Sequence, residues 1–152
     1  MINGFISYAH EDRDDCRELM KHLSLLKRAG IADFWADMSI RAGRAWGSEI
    51  ETRLVSCDIA VFLVSADMAE SEYIRDKELP LALQRRDRGE CEVVPILLKS
   101  CMYDCIEELQ PLQPLPSWDL FIEEYEKPNQ GFYASARGLR DLAEDMNRRR
   151  DA

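Results

Sequence analysis

The fold class is decided by one stretch of the chain, IAVFLV at Ile59–Val64, in which every side chain is apolar. A strand with one face in water alternates apolar and polar residues, whereas a strand covered on both faces reads as a continuous apolar run. Such coverage is typical of parallel sheets, because their connecting helices lie on both faces. The stretch therefore predicts a central strand of a parallel sheet in an α/β domain.

Outward from this strand, three shorter apolar runs predict further strands, at residues 2–8, 31–35 and 93–98. The chain then becomes less regular, since residues 111–116 contain three prolines and proline lacks the backbone N–H that a sheet ladder needs. Beyond them, residues 118–122 predict a short edge strand. The strands thus number about five.

Between the predicted strands, apolar residues recur at helical spacing. The first helix runs from Asp12, a suitable N-cap, to Gly30, which suits the left-handed residue that ends many helices. Further helices are predicted at residues 46–55 and 79–83, and a closing helix covers residues 132–146. Strands that alternate with helices predict a doubly wound parallel sheet with helices on both faces.

Length and composition describe an ordinary globular domain. The chain has 152 residues, of which 46% are hydrophobic and 32% are charged, which is enough apolar content for a buried core and too much for a disordered chain. Its net charge of −9 repels nucleic-acid phosphates and anionic membranes. We therefore expect no direct nucleic-acid partner and no membrane partner.

The five cysteines are spaced irregularly and include no C-x-x-C pair. Neither a disulfide framework nor a metal site is predicted, and reduced cysteines fit a cytoplasmic location. No apolar run approaches membrane-spanning length, and the first predicted strand leaves no room for a signal peptide. We expect residues 1–150 to form one domain, and the polar end at residues 147–152 indicates that it continues into another domain of a longer protein.

In a doubly wound sheet, ligands bind at the carboxyl ends of the strands, here residues 7–12, 37–46 and 65–78. The chain has neither of the common glycine-rich phosphate loops. A phosphoacceptor or magnesium-dependent domain carries carboxylates at the ends of its first and third strands, where this chain has Ser7 and Ser65. The residues therefore disfavour nucleotide-cradle and phosphoacceptor chemistry.

A hydrolase triad from Ser7, His10 and Asp12 is also disfavoured, because all three fall in one turn and a triad normally draws its members from separate elements. What remains around the predicted cleft is acids and aromatic rings. Each ring either stacks on a base or sugar or belongs to the core, and the candidates are Tyr8, Trp35, Trp46 and Tyr73.

Three groups of residues, in order, resemble the TIR (Toll/interleukin-1 receptor) domain of bacterial type. The first is FISY followed by HED, within Phe5–Asp12, and the second is WAD leading through a glycine to a tryptophan, within Trp35–Trp46. The third, within Val64–Leu79, reads VS, then SEY, then EL, and VPI follows at Val94–Ile96. Together they make a specific match over residues 1 to about 100.

The resemblance implies a flavodoxin-like sheet of about five parallel strands and one of two activities. Many TIR domains cleave NAD⁺ at the nicotinamide–ribose bond with the glutamate that matches Glu78, whereas others only associate with one another through the loop that matches Asp37–Trp46. For the enzyme, NAD⁺ is the substrate and no cofactor or metal is expected. The implied substrate-binding residues are Ser7, Tyr8 and Ala9 on one side, Gly43, Arg44 and Trp46 on the other, and Tyr73 as the aromatic wall.

One carboxylate suffices for this reaction. Ordinary glycosides need a second carboxyl group to protonate the departing oxygen, but nicotinamide in NAD⁺ is a cationic pyridinium and departs neutral. The remaining task is to stabilise the positive charge that develops on the ribose, which a fixed carboxylate does electrostatically. Glu78 is therefore the candidate catalytic residue.

Pro80 sets the expected position of Glu78. Proline is tolerated in the first turn of a helix and not in its interior, so we expect a helix that begins just before Pro80, with Glu78 in or near its first turn, where the dipole favours an ionised carboxylate. In the family an aromatic stands four residues before the glutamate, but here Ile74 holds that position and Tyr73 precedes it. Either the turn contains an extra residue or Tyr73 enters the site from a different place.

The sequence leads to one hypothesis and two alternatives. The leading hypothesis is an NAD⁺ glycohydrolase that yields nicotinamide and ADP-ribose or a cyclic ADP-ribose isomer, is activated by self-assembly of TIR domains, and acts in bacterial anti-phage defence. The first alternative is a non-catalytic TIR–TIR interaction module that works through the same loop. The second is a nucleoside ribosyl-transfer enzyme that uses the glutamate on another substrate.

Overall fold

A computed structural model of the chain describes residues 1–38 and 48–152. The strands are β1 (Ile2–Ser7), β2 (Ala32–Trp35), β3 (Ile59–Val64) and β4 (Glu92–Leu97). They lie in the sheet in the order β2-β1-β3-β4, and every neighbouring pair is parallel. All six residues of β3 are buried, so the continuous apolar run does form an interior strand.

The helices are α1 (Arg13–Arg28), α2 (Ser48–Ser56), α3 (Ala66–Glu70), α4 (Leu79–Asp87) and α5 (Pro128–Asp151). Gly30 follows the end of α1 with a φ of 75°, which confirms the left-handed residue predicted there. Short 3₁₀ turns lie at His10–Asp12, Tyr103–Cys105, Glu107–Leu109 and Ile122–Glu124.

The two faces of β3 lie in different hydrophobic clusters, because successive side chains of a strand point to opposite sides. Ile59, Val61 and Leu63 pack with α1 and α5, and Ala60, Phe62 and Val64 pack with α2 and α4. Helices therefore cover both faces of the sheet, and the predicted doubly wound α/β fold is confirmed.

The edge strand predicted at residues 118–122 is wrong. Its place beside β4 is taken by a single residue, Leu115, whose N–H donates to Pro95 O (2.9 Å) and whose carbonyl accepts from Leu97 N (2.7 Å). Prolines stand on both sides of Leu115 and cannot donate to a ladder, so the pairing does not extend. The described residues thus form four strands and one bridging residue instead of five strands.

The strand order fixes where a ligand can enter. Because β2 lies on one side of β1 and β3 on the other, the chain leaves the carboxyl ends of β1 and β3 in different directions and opens a crevice between them. Within residues 1–38 and 48–152, no helix combines the length and apolar character needed to cross a bilayer.

Candidate functional site

A cavity of about 630 Å³ opens at the carboxyl ends of β1 and β3. This volume lies within the range of about 300–1,000 Å³ that is typical of small-molecule sites. Its walls are the turn after β1, the end of β2, α2, the end of α3 and the segment that leads into α4. Five of the predicted site residues line it together, namely Ser7, Tyr8, Ala9, Tyr73 and Glu78.

Glu78 is the most deeply buried carboxylate of this cavity, with 6% of its surface exposed. Ser7 Oγ, at the end of β1, donates to the carboxylate at 3.4 Å from Oε1 and 3.2 Å from Oε2. Burial raises the pKa of Glu78 to about 7, and the hydrogen bond from Ser7 opposes this shift. Burial therefore opposes the ionised carboxylate that the helix dipole was expected to favour, since desolvation outweighs the groups that favour the charge.

The backbone around Glu78 explains why no open helix N-terminus stabilises its ionised carboxylate. Pro80 lies in the first turn of α4, as predicted, but the helical backbone already begins at Glu72 and includes a π-helical turn at Ile74–Glu78. Leu79 N–H donates to Ile74 O, five residues earlier. Glu78 consequently does not lie at an open helix N-terminus, and the wide turn accommodates a proline that clashes with a regular helix.

The same π turn settles the position of the aromatic ring. A π turn contains one residue more than an α turn, so a side chain five positions before Glu78 lies where a regular helix places the one four positions before. Tyr73 therefore reaches the cavity. Ile74 also borders the cavity, but it is packed into the core at 3% exposure. Of the two explanations for the shifted aromatic, the structure supports the extra residue. Burial and the neighbouring Glu78 raise the pKa of Tyr73.

Tyr8 connects the cavity to the end of β2. Its hydroxyl donates to the carbonyl of Asp37, and Arg13 Nη2 donates to the carbonyl of Met38. Burial, with the nearby Cys16 and Asp37, raises the pKa of Tyr8 to about 12, so the phenol stays neutral and remains a donor. Ala9 is buried at 5% exposure.

The comparison with known families covers this whole arrangement. The family model described as TIR domain matches residues 5–132, which include every side chain of the cavity named above. The chain belongs to the TIR domain family. The resemblance of FISY, WAD and the Glu78 segment to that family is thereby confirmed.

This TIR domain is similar to one relative by sequence and to one solved structure by fold. It is 32% identical over 148 residues to the uncharacterized protein y4lF of Sinorhizobium fredii (strain NBRC 101917 / NGR234), and the match covers 97% of this chain and 46% of the relative, so that the chain spans less than half of that protein. It is also similar to the TIR domains of the activated Roq1 resistosome, which directly recognizes the pathogen effector XopQ. The TM-score is 0.51 at 18% identity, over 90% of this chain and 84% of that one. At this identity the likeness shows the shared fold.

Three predicted site residues of the TIR domain, Gly43, Arg44 and Trp46, lie outside the described residues. Of the predicted Asp37–Trp46 loop, the structure describes Asp37 and Met38, and Asp37 lines the cavity. Across the described part of the chain, no group of three or more His, Cys, Asp or Glu side chains could hold a metal ion.

The proposed Ser7–His10–Asp12 triad does not assemble. His10 lines the cavity, but the hydroxyl of Ser7 donates to Glu78. Asp12 is fully buried and accepts from Ser65 Oγ and from Lys99 Nζ at 2.7 Å. Asp12 occupies the N-cap position of α1, as predicted, but its side chain makes no capping hydrogen bond there.

Lys99 is the residue that sequence reasoning missed at this end of the sheet. Besides Asp12, its ammonium group lies 3.6 Å from Asp15 Oδ2, and the hydrogen bond with Asp12 raises its pKa. The signal was present in the sequence, because Lys99 follows the apolar run of β4 and so lies at the same edge of the sheet as the turn after β1.

Proposed function

We propose that this TIR domain is an NAD⁺ glycohydrolase in which Glu78 is the catalytic carboxylate. The observation that carries the proposal is the position of Glu78. Its side chain is buried in the cavity at the carboxyl ends of β1 and β3, oriented by the Ser7 hydroxyl and flanked by the Tyr73 side chain. A buried, oriented carboxylate with a strongly shifted pKa in a cleft is typical of functional sites.

The chemistry requires only this one acid. Cleavage of the C–N bond releases neutral nicotinamide and leaves positive charge on the ribose, which the Glu78 carboxylate stabilises. Water, or the adenine of the same molecule, then captures the cation, giving ADP-ribose or a cyclic isomer and releasing a proton. Although burial places the pKa of Glu78 near 7, the cationic nicotinamide favours the ionised carboxylate when it binds.

The lining of the cavity suits the cationic half of the substrate. Glu11, Asp37 and Glu70 line it together with Glu78, and their negative charges attract a pyridinium ring. Tyr73 supplies an aromatic face against which a flat nicotinamide ring can stack. The Asp37–Trp46 loop, with Gly43, Arg44 and Trp46, is proposed to complete the site, and its arginine to meet the pyrophosphate.

Self-association through that loop is proposed as the activating step. A second copy would then bring its loop to the cavity of the first, and an isolated domain would be nearly inactive. We further propose that the domain belongs to a longer cytoplasmic protein of bacterial anti-phage defence. The support for a longer protein is that the match covers only 46% of the y4lF protein.

The proposal is tested by nicotinamide release from NAD⁺, followed by chromatography while the domain is concentrated or clustered on a scaffold. We expect Glu78→Gln to lower the rate by at least about 100-fold, the loss typical of a deleted transition-state electrostatic contact. Glu72→Gln is the matched control, since Glu72 is an exposed carboxylate on the same helical segment and is not among the residues that line the cavity, and it should leave the rate close to that of the wild type.

The same chromatogram separates ADP-ribose from its cyclic isomers. Cleavage by Glu78→Gln at the wild-type rate would show that the catalytic assignment is wrong. If the wild-type domain releases no nicotinamide even when clustered, the non-catalytic interaction module replaces the enzyme.

A further inference from the structure

Two cysteines lie side by side at the amino end of the sheet, opposite the Glu78 cavity. Cys57 precedes β3 and Cys91 precedes β4, and the two strands are paired from Ile59 and Glu92 onward. Glu92 N–H donates to Asp58 O at 2.9 Å, so the pairing continues up to the cysteines. Both thiols are buried in the same hydrophobic cluster, and each shifts the pKa of the other.

The spacing of the strands suits a disulfide. Neighbouring strands lie about 4.8 Å apart, and disulfides join residues whose Cα atoms are about 4.4–6.8 Å apart. Ile59 pairs with Glu92, so Cys57 lies one residue before the position opposite Cys91. Cα atoms in such a diagonal pair are about 6 Å apart, from the strand spacing and the rise per residue, which is still within that range. Both are free in the structure, and their thiols donate to Leu54 O (3.3 Å) and Ala82 O (3.6 Å).

The guanidinium group of Arg85 lies beside this pair of cysteines. Arg85 Nη1 donates to the carbonyls of Leu54 (2.9 Å) and Cys57 (2.8 Å) and is 3.5 Å from Cys57 Sγ. The interaction with the Cys57 thiol and the charge of Arg85 lower the pKa of Cys91, while the interaction with Cys91 and burial raise the pKa of Cys57. Of the two thiols, Cys91 is therefore the one that ionises more readily, and a thiolate is the form of cysteine that reacts.

Cys91 is slightly the more exposed of the two buried thiols, at 7%. It lines a second cavity, of about 530 Å³, whose wall includes Arg86, Arg149 and Arg150. Cys57 is not among the described residues of that wall and lies deeper, at 3% exposure. A small oxidant in this cavity thus meets Cys91 first, with Cys57 behind it.

We propose that Cys91 and Cys57 form a redox-active pair, in which a hydroperoxide oxidises Cys91 and Cys57 converts the product into a disulfide that links β3 to β4. The Cys91 thiolate attacks the peroxide oxygen, the O–O bond breaks, and Cys91 becomes a sulfenic acid while water leaves. The Cys57 sulfur then attacks Cys91 Sγ, and the sulfenic oxygen leaves as a second water. Two thiols and one hydrogen peroxide thereby give one disulfide and two waters.

The other cysteines define the background for the experiment. Cys105 is exposed and Cys101 is half-buried, so both are changed to serine to remove their direct oxidation. Cys16 is buried in α1, where desolvation and nearby carboxylates raise its thiol pKa to about 12, and it serves as the internal unreactive reference.

The full chain with Cys101→Ser and Cys105→Ser is titrated with hydrogen peroxide, digested without reduction and analysed by mass spectrometry. We expect a cross-linked peptide that joins Cys57 to Cys91, reversed by dithiothreitol, and loss of the Cys91 thiol at least about tenfold faster than that of Cys16. Adding Cys57→Ser should stop the reaction at a Cys91 sulfenic acid that dimedone traps. Adding Cys16→Ser, the matched control, should leave the cross-link unchanged.

Two results would contradict the proposal that Cys91 and Cys57 form a redox-active pair. One is equal consumption of Cys91 and Cys16 with no cross-linked peptide. The other is progress of Cys91 to sulfinic acid while Cys57 stays a free thiol. Both are read in the chain that retains Cys57 and Cys91, so the outcome does not depend on whether Cys57→Ser folds. Neither readout uses NAD⁺ cleavage, so the result is independent of the proposed function.

Discussion

Burial of Glu78 makes this single residue a source of pH-dependent stability. Its pKa rises from an ordinary 4.5 to about 7 in the folded protein, so between those values the folded state retains a proton that the unfolded state has released. A carboxyl group with a raised folded pKa stabilises fully below its unfolded pKa and loses that contribution as pH rises through the folded pKa. We therefore expect the free energy of unfolding to fall between pH 5 and pH 8.

Glu78→Gln isolates this effect, because glutamine has a similar shape, accepts the Ser7 hydrogen bond and stays neutral. At pH 5 the variant and the wild type should unfold at similar urea concentrations. At pH 8 the variant should be more stable by on the order of 2 kcal/mol, the scale of a shift of this size. Urea unfolding at both pH values measures this, and equal stabilities at pH 8 would mean that Glu78 titrates normally.

At the scale of elements, local signals predicted well and long-range ones did not. The apolar run of β3 and the glycine after α1 depend on neighbouring residues alone, and both were predicted correctly. A fifth strand would have formed only if the pairing of Leu115 with β4 extended to its neighbours. The prolines on both sides of Leu115 prevent this. The π turn reflects the joint demands of Pro80 and the buried Glu78, and the sequence indicated it only as two alternatives for Tyr73.

The π turn itself leads to a prediction about chain length. Deleting Asp76, an exposed residue within it, in a Pro80→Ala background that removes the clash of the proline with a regular helix, should convert the turn to a regular α turn without rotating the elements on either side. Tyr73 and Glu78 then stay side by side, and we expect the thermal midpoint to fall by only a few degrees, a change of about 1 kcal/mol. Differential scanning calorimetry measures it.

The control deletion removes Gln84 from the regular part of α4. This rotates the rest of the helix by about 100° and moves Arg85 away from the carbonyls of Leu54 and Cys57. We expect a much larger loss of stability. Equal losses of stability for the two deletions would contradict the interpretation that the extra residue of this segment is confined to the π turn.

At the scale of the whole molecule, Asp12 and its partners join three strands that are far apart in sequence. Asp12 follows β1, Ser65 follows β3 and Lys99 follows β4, with 87 positions between Asp12 and Lys99. Such a network closes only after the sheet has formed, which is why a sequence-based view assigned Asp12 a local capping role. In the folded chain it holds the turn after β1, and hence one wall of the Glu78 cavity, against the sheet.

Removing its cation should therefore destabilise the fold. Lys99→Met removes the cation from the fully buried Asp12 carboxylate, which still accepts a hydrogen bond from Ser65 Oγ. Breaking a fully buried ion pair costs about 3–5 kcal/mol, and we expect about 2 kcal/mol because the Lys99 side chain is 37% exposed. Chemical denaturation at pH 7 measures the loss. Adding Asp12→Asn should restore part of it, since an amide carries no charge to leave unpaired.

The matched control is Lys27→Met, which removes an ion pair on the surface. Lys27 Nζ lies 3.6 Å from Asp33 Oδ2, with 63% of the lysine side chain and 38% of the aspartate side chain exposed. Exposed pairs contribute about 0–1 kcal/mol because solvent and salt screen them, so this variant should unfold close to the wild type. A loss for Lys99→Met no greater than for Lys27→Met would contradict the role of the network in holding the strand ends together.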